Sequence, residues 1–279
     1  MSDIIIKKDI KSERHLDQFY TNNDIALKCY TELKKLLKTH NIENEIWLEP
    51  SAGAGAFFNL IEYDKIGIDI DPKIGNVIKA DFLEYILPNN NYITIGNPPF
   101  GRNSNLAIRF FNKCSEHSKI IGFIIPKTFK KASVINKLNY QMHLIYEMEI
   151  PANSFNIKNE IVNVPCIFQV WIRKEELRSK IKKKLTTEDF IFTTRNEADI
   201  AFQRVGTSAG VIKDKSIFDK IPNSSHLFIK IINPRTLSIL QSINWDHIKY
   251  NTAGNPSVSK SEIIHEYELI TKNLNPHCQ

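Results

Sequence analysis

A doubly wound α/β sheet with a small α+β region behind it is the fold this sequence predicts, and three observations predict it. Short apolar runs alternate with helical stretches from Thr21 to Ile150, the pattern of parallel strands joined by crossover helices. The runs "LIYEMEI" and "VPCIFQVWIR" then follow one another with no helix between them, so they pair antiparallel at an edge. Last, the charge run "RKEELRSKIKKKLTTED" separates this pattern from a stretch with strands and a helix of its own.

Taken in order, "TNNDIALKCYTELKKLLKTH" spaces Ile25, Leu27, Cys29, Leu33, Leu36 and Leu37 along one helical face, behind a polar cap at Thr21 to Asn23. "EIWLEPS" reads as a short buried strand, "AFFNLIE" as a helix, and "KIGIDI", "NVIKAD" and "YITIGN" as strands. A helix over about Asn105 to His117, the strand "KIIGFIIP", a helix over "KTFKKASVINKL" and the two final strands complete a Rossmann-like seven-stranded sheet whose last strand is antiparallel. The charge run reads as a solvated helix or linker, dividing a catalytic domain (1–175) from a C-terminal extension (176–279) suited to target recognition. The extension carries strands "FIFTT", "DIAFQRVG" and "HLFIKII" and a helix over "RTLSILQSI".

With 42% hydrophobic and 24% charged residues, the chain is globular rather than disordered, and its formal charge of +6 favours a polyanionic partner. Its four cysteines, Cys29, Cys114, Cys166 and Cys278, lie far apart with no CxxC pair, which reads as core thiols in a reducing compartment. None of the eight histidines has metal-ligand spacing, so no metal is expected. The start, "MSDIIIKKDIKSERH", fits neither a secretory signal nor an anchor, and no stretch nears the roughly 20 apolar residues of a bilayer crossing. The expectation is a cytoplasmic protein with no membrane partner.

The chemistry lies at successive strand ends. "LEPSAGAGAF" places Gly53 and Gly55 in a sharp turn after the first strand, where positive φ lets backbone approach a ligand. "GIDIDP" puts Asp69 at the next strand tip, where an acid accepts ribose hydroxyls, while Asp71 reads as a helix cap. "ADFLEY" adds Asp81 as acceptor for an exocyclic amine and Phe82 as an apolar plate for a purine. Together these describe an adenosine pocket. There is no Gly-Lys-Ser/Thr, and Glu49 beside the turn repels pyrophosphate and suits a cation, so S-adenosylmethionine fits both halves.

"GNPPFG" then ends a strand abruptly, since proline has no N–H and a fixed φ. The side-chain oxygen of Asn97 and the carbonyl of Pro98 are left as rigid acceptors for an amino group. Two such acceptors pull an adenine amine out of the ring plane, release its lone pair for attack on the sulfonium methyl, and stabilise the charge growing on nitrogen. Phe100 can stack on a base flipped from a duplex.

With "QFYTNN" upstream, these motifs resemble the N6-adenine DNA methyltransferases, in the subgroup whose target-recognition region is C-terminal. The resemblance spans about Gln18 to Arg173. It implies that Thr21 contacts the methionine carboxylate and Glu49 the amino group, with Ser51, Gly53 and Gly55 around them. It assigns the ribose to Asp69, the cofactor adenine to Asp81 and Phe82, and the target base to Asn97, Pro98, Pro99 and Phe100. It also implies a second aromatic before the last strands, for which Phe155 is the candidate, although an aromatic there serves equally to close the core. The turn departs from the pattern in having Ala between its glycines, and the motif ends in Phe where Tyr is commoner.

Arg102 is a candidate phosphate contact, as are Lys182, Lys183 and Lys184, with Lys180, Arg173 and Arg178 nearby, though a solvated charged face explains the lysines equally well. The leading expectation is methylation of adenine N6 in DNA, within a restriction-modification system with a cognate endonuclease or as an orphan viral or phage enzyme in its host cell. The alternatives are the same reaction on RNA, methylation of a protein glutamine amide, and an inactive nucleic-acid-binding scaffold. Against the glutamine reading stands the short stretch before the glycine turn, where such enzymes carry a longer helical domain.

Overall fold

The computed structural model describes residues 19–43, 45–88, 91–157, 160–162, 164–252 and 254–274; Gln18, the chain start and Cys278 lie outside them. The chain divides into two compact units, Met1–Lys180 and Ile181–Gln279. Among the described residues no helix is long and apolar enough to cross a membrane.

The first unit begins with a two-residue strand, β1 (Tyr20–Thr21), and the amphipathic helix α1 (Asn23–Thr39), which buries Cys29, Leu33 and Leu37 as its spacing requires. Strands β2 (Trp47–Glu49), β3 (Lys65–Asp69), β4 (Ile78–Lys79), β5 (Tyr92–Gly96), β6 (Ser118–Pro126) and β7 (Met142–Glu149) follow. A small hairpin, β8 (Phe155–Ile157) and β9 (Glu160–Val162), precedes β10 (Cys166–Arg173). The main sheet has the order β4-β3-β2-β5-β6-β10-β7. Strands β2 to β6 pair parallel, and β10 lies antiparallel to both β6 and β7. This is the doubly wound seven-stranded sheet expected, with its last strand antiparallel; that strand inserts inside the sheet, leaving β7 at the edge.

Chain order reverses between β2 and β5, the switch point at which open α/β sheets form their crevice. Only one full crossover helix, α2 (Asn105–His117), lies between the parallel strands described. The expected helix over "AFFNLIE" is a single 3-10 turn, Phe58–Leu60. The Lys65 ammonium takes the carbonyls of Phe58 and Ile61 that a longer helix would have used, at 2.8 and 2.5 Å. Extended backbone at Lys131 likewise splits the expected helix after β6 into a 3-10 turn, Lys127–Lys130, and a short α3 (Ala132–Ile135). Asp71 caps no helix: its amide donates to Asp69 and its carboxylate pairs with Lys73 at 2.5 Å.

The charge run is a linker, not a helix. Its arginines are structural: Arg173 donates to the Ser118 carbonyl and Gln141, and Arg178 to the carbonyls of Ile135 and Leu138. Cys29, Cys114 and Cys166 are buried thiols, and burial pushes Cys29 up to about 12, which keeps it protonated.

The second unit has an antiparallel sheet of the three expected strands, β11 (Phe190–Thr193), β12 (Ile200–Gln203) and β14 (His226–Ile231), with a short β13 (Ile212–Lys213) on β12. Helices α4 (Thr236–Ser242), α5 (Asp246–Lys249) and α6 (Lys260–Leu274) complete it, and residues of all three share its apolar core. Helix α6 was not foreseen, although Ser259 and Glu262 form a reciprocal capping box at its start, which "SKSE" before an apolar run announces.

Phe111 of α2 is fully buried against the rings of Phe123, Phe129 and Trp171, with centroids 5.5 to 6.5 Å away. Phe111→Ala is expected to lower unfolding free energy by about 3–5 kcal/mol, read as a reduced urea midpoint with little change in slope.

Candidate active site

Strand ends at the switch point converge on a cavity of about 390 Å³. Of the residues singled out above, Thr21, Glu49, Ser51, Gly53, Asp69, Asp81, Phe82, Asn97 and Pro99 line it. Pro98 and Phe100 are buried and form no part of its wall.

The glycine turn is held from two sides. Gly53 sits at φ +49°, where a side chain would be strained and would crowd Tyr20 at 3.3 Å. Its amide donates to Asp69 Oδ2 at 2.7 Å, and Asp71 donates to Oδ1 at 2.8 Å. Asp69 thus fastens the turn as well as facing the cavity, and an ionised carboxylate keeps about two further lone-pair sites for a ligand. Gly55 is off the cavity wall and packs tightly, a Cβ there meeting Ile74 at 2.5 Å. Asp81 accepts the Leu83 amide at 2.8 Å, which orients its exposed carboxylate beside Phe82. The Phe82 ring packs against Phe110, with centroids 5.1 Å apart.

Glu49 is 2% exposed, and its Oε2 has no partner among the described residues. Burial holds its carboxyl well above the ordinary 4.5, and nearby Asp69 adds to this, while the Phe58 amide and Lys65 oppose it. A cation beside it would favour its ionised form, and Glu49 lines the cavity where one could sit.

Asn97, at the end of β5, is tied on three sides. Ser51 Oγ donates to its backbone carbonyl at 3.1 Å, so that hydroxyl positions the Asn-Pro-Pro segment. Its side-chain Nδ2 donates both hydrogens within the protein, to the Phe19 carbonyl at 3.0 Å and to Thr21 Oγ1 at 3.1 Å. Oδ1 is left buried with no partner among the described residues. A carbonyl can only accept, so the amide cannot turn over without setting two oxygens against each other.

Two features escaped the sequence. Phe19 lies on Phe100, rings 6.2 Å apart and 26° from parallel, and it is this ring, not that of Phe155, which meets the motif aromatic. Phe155 is 1% exposed and belongs to the core, where β8 pairs with β1, so its role as a base-stacking aromatic is corrected. Leu106, Arg109 and Phe110 also line the cavity, one face of α2 at i, i+3 and i+4. That face was readable once the helix was. The helix is set by Gly101 at φ +67°, and its first amides, Leu106 and Ala107, donate to the Phe100 carbonyl. Arg102 is exposed on the intervening loop. In the second unit Lys182 and Lys183 are exposed, whereas Lys184 is paired with Glu268.

No protein-family model matches the chain, and no curated protein matches it. Among solved structures, a candidate RNA methyltransferase from Pyrococcus horikoshii superposes with a TM-score of 0.45 at 18% identity, over 57% of this chain and 87% of its own. A candidate methyltransferase from Escherichia coli, yhhF, gives 0.37 and 16%, over 53% and 86%. The 23S rRNA methyltransferase ErmE gives 0.40 and 11%, over 85% and 96%. At such identities, what this chain does has to be read from its own side chains.

Glu49 binds protons more readily folded than unfolded, so its favourable contribution is complete below 4.5 and is lost as pH rises through its raised folded value. Without ligand, Glu49→Gln should therefore match the parent in urea midpoint near pH 4 and exceed it increasingly toward pH 8. A difference that is flat in pH would show that Glu49 is not held protonated.

Proposed function

We propose that this chain is an S-adenosylmethionine-dependent methyltransferase acting on the N6 amino group of adenine in DNA. The observation that carries the reading is the carboxamide of Asn97, a residue of the cavity wall, whose hydrogens are both engaged while its oxygen is buried with no partner among the described residues.

The residues fit the cofactor at both ends. The unpartnered Glu49 oxygen suits its ammonium, Asp69 its ribose hydroxyls, and Asp81 with the Phe82 and Phe110 rings its adenine. The cofactor supplies an electrophilic methyl on a cationic sulfur. The protein's part is to hold an exocyclic amine against the Asn97 side-chain oxygen, so that its lone pair leaves conjugation with the ring, while Pro98, off the cavity wall, stiffens the backbone behind it. That oxygen also stabilises the positive charge developing on nitrogen, and because it is fixed beforehand little reorganisation is needed during the reaction. Once the methyl is in place, the surplus proton on nitrogen passes to solvent water. A base that stacks on Phe100 must displace Phe19 or enter beside it.

An intact set of Glu49, Asp69, Asp81 and Asn97 around one cavity argues against an inactive scaffold. For a nucleic-acid substrate speak the net charge of +6 and the exposed Arg102, Lys182 and Lys183, which suit a phosphate backbone. A restriction endonuclease as cognate partner is part of the same reading.

Labelled methyl groups offered with unmethylated DNA, RNA and bulk protein in parallel should appear in DNA as N6-methyladenine. Label in RNA alone would move the substrate to RNA, and label in protein alone would overturn the reading. Asn97→Ala should lower turnover by about 10² to 10³ with cofactor binding retained, and Glu49→Gln should weaken cofactor binding about 10- to 100-fold, both measurable by calorimetry alongside the transfer assay. Replacing Lys182 and Lys183 by Ala should reduce the log–log salt slope of duplex binding by about 0.9 for each phosphate that these lysines neutralise; an unchanged slope returns them to a solvated surface.

A further inference from the structure

Thr21 Oγ1 accepts one hydrogen of the Asn97 amide, and among the described residues it has no other partner. A hydroxyl that accepts in this way still owns a hydrogen to donate. Thr21 is nine-tenths buried and lines the cavity, so that hydrogen has the cavity as its outlet. The backbone around it is fixed by pairing of Tyr20 and Thr21 with Asn156 and Phe155.

The two neighbours of the Asn97 amide differ in what they permit. The Phe19 carbonyl is an acceptor only, and it selects the orientation with Nδ2 toward β1. The Thr21 hydroxyl tolerates either orientation, because it can accept from Nδ2 or donate to Oδ1. An anionic oxygen in the cavity would remove this ambiguity: by taking the Thr21 hydrogen, it obliges the hydroxyl to accept from Asn97.

We infer that Thr21 is a positioning residue for the reaction, its hydroxyl relaying the presence of an anionic ligand oxygen in the cavity to the Asn97 amide. Filling the cofactor end then tightens the acceptor that grips the target amine, in the orientation the Phe19 carbonyl already sets. This rests on the function proposed above, since the carboxylate of S-adenosylmethionine is the anion that would lie near the Glu49-bound ammonium. It adds a coupling: the site for the amine is held most firmly when the methyl donor is present.

Thr21→Val keeps the side-chain shape and removes both hydrogen bonds, whereas Thr21→Ser keeps both. At saturating S-adenosylmethionine, Thr21→Val should lower kcat about 10- to 100-fold, and Thr21→Ser should remain within about threefold of the parent. If Thr21 served only to bind cofactor, Thr21→Val would raise KM with kcat unchanged, and that result would overturn the inference. A readout independent of turnover separates this from the functional reading. In protein labelled with ¹⁵N at asparagine, the side-chain amide signal absent from Asn97→Ala should shift and exchange more slowly on adding S-adenosylhomocysteine, and should do so in the Ser variant but not in the Val variant. If that response occurs without methyl transfer to any nucleic acid, the relay stands and the proposed substrate falls. If transfer occurs and the Asn97 signal ignores the ligand, the relay falls and the methyltransferase stands.

Discussion

One carboxamide joins the parts of this site. Asn97 ends β5, yet its side chain is bonded to Thr21, 76 residues earlier, and its backbone carbonyl to Ser51 of the glycine turn. Strand β1 is in turn held by β8, so the hairpin after β7, the N-terminal strand, the glycine turn and the Asn-Pro-Pro segment meet at a single residue. A catalytic acceptor is effective in proportion to how little it moves when charge appears before it. Three bonds to two separated stretches of chain, residues 19–21 and the glycine turn, restrain Asn97 in a way its own strand end does not.

The same sharing of contacts recurs at Asp69. A carboxylate at the tip of β3 is suited to a ribose, but two of its lone-pair sites already accept backbone N–H groups from Gly53 and Asp71. Those bonds fasten the glycine turn to the neighbouring strand end and fix the floor on which a ligand would lie. Loss of the carboxylate would therefore disturb the turn as well as the ligand contact, and an amide replacement keeps one acceptor while setting a donor against a donor. Binding and positioning are not separable at this position.

What was legible in the sequence follows from locality. Glycines, acids and prolines at strand ends announce themselves because each strand is a short apolar run and its end is punctuated by residues with special backbone needs. Hence Glu49, Gly53, Asp69, Asp81, Phe82 and Asn97 were placed by spacing alone, and the structure gathers them at one cavity. What was not legible is non-local. Strand β1 has two residues and exists only because β8 pairs with it, and Phe19 meets Phe100 only through that pairing. Phe155 went to the core for the same reason. Crossover helices are fewer and shorter than the apolar pattern suggests because the Lys65 ammonium and the extended Lys131 backbone end them early, and neither is visible in that pattern. The described linker lysines divided by partner: Lys184 meets a carboxylate on a helix the composition had not suggested, Lys174 that of nearby Glu176, and Lys182 and Lys183 are exposed.

Glu49 is the point at which stability and function part. A buried carboxylate with an oxygen left unpartnered costs folding free energy, and a hydrophobic or neutral residue of similar size would cost less. Desolvation answers by raising its pKa, which favours the protonated form. A cationic ligand reverses the balance: its charge favours the ionised form, the proton leaves, and the desolvation penalty is relieved on binding. Affinity gained in this way is selective, because a neutral ligand of the same shape leaves the carboxyl protonated and an anion meets a group that cannot ionise beside it. In the reading offered here, the sulfonium donor carries its ammonium to Glu49, and the demethylated product carries the same ammonium. Glu49 therefore holds substrate and product alike, and what distinguishes them must come from elsewhere in the cavity, wherever a charged sulfonium and a neutral thioether are felt differently.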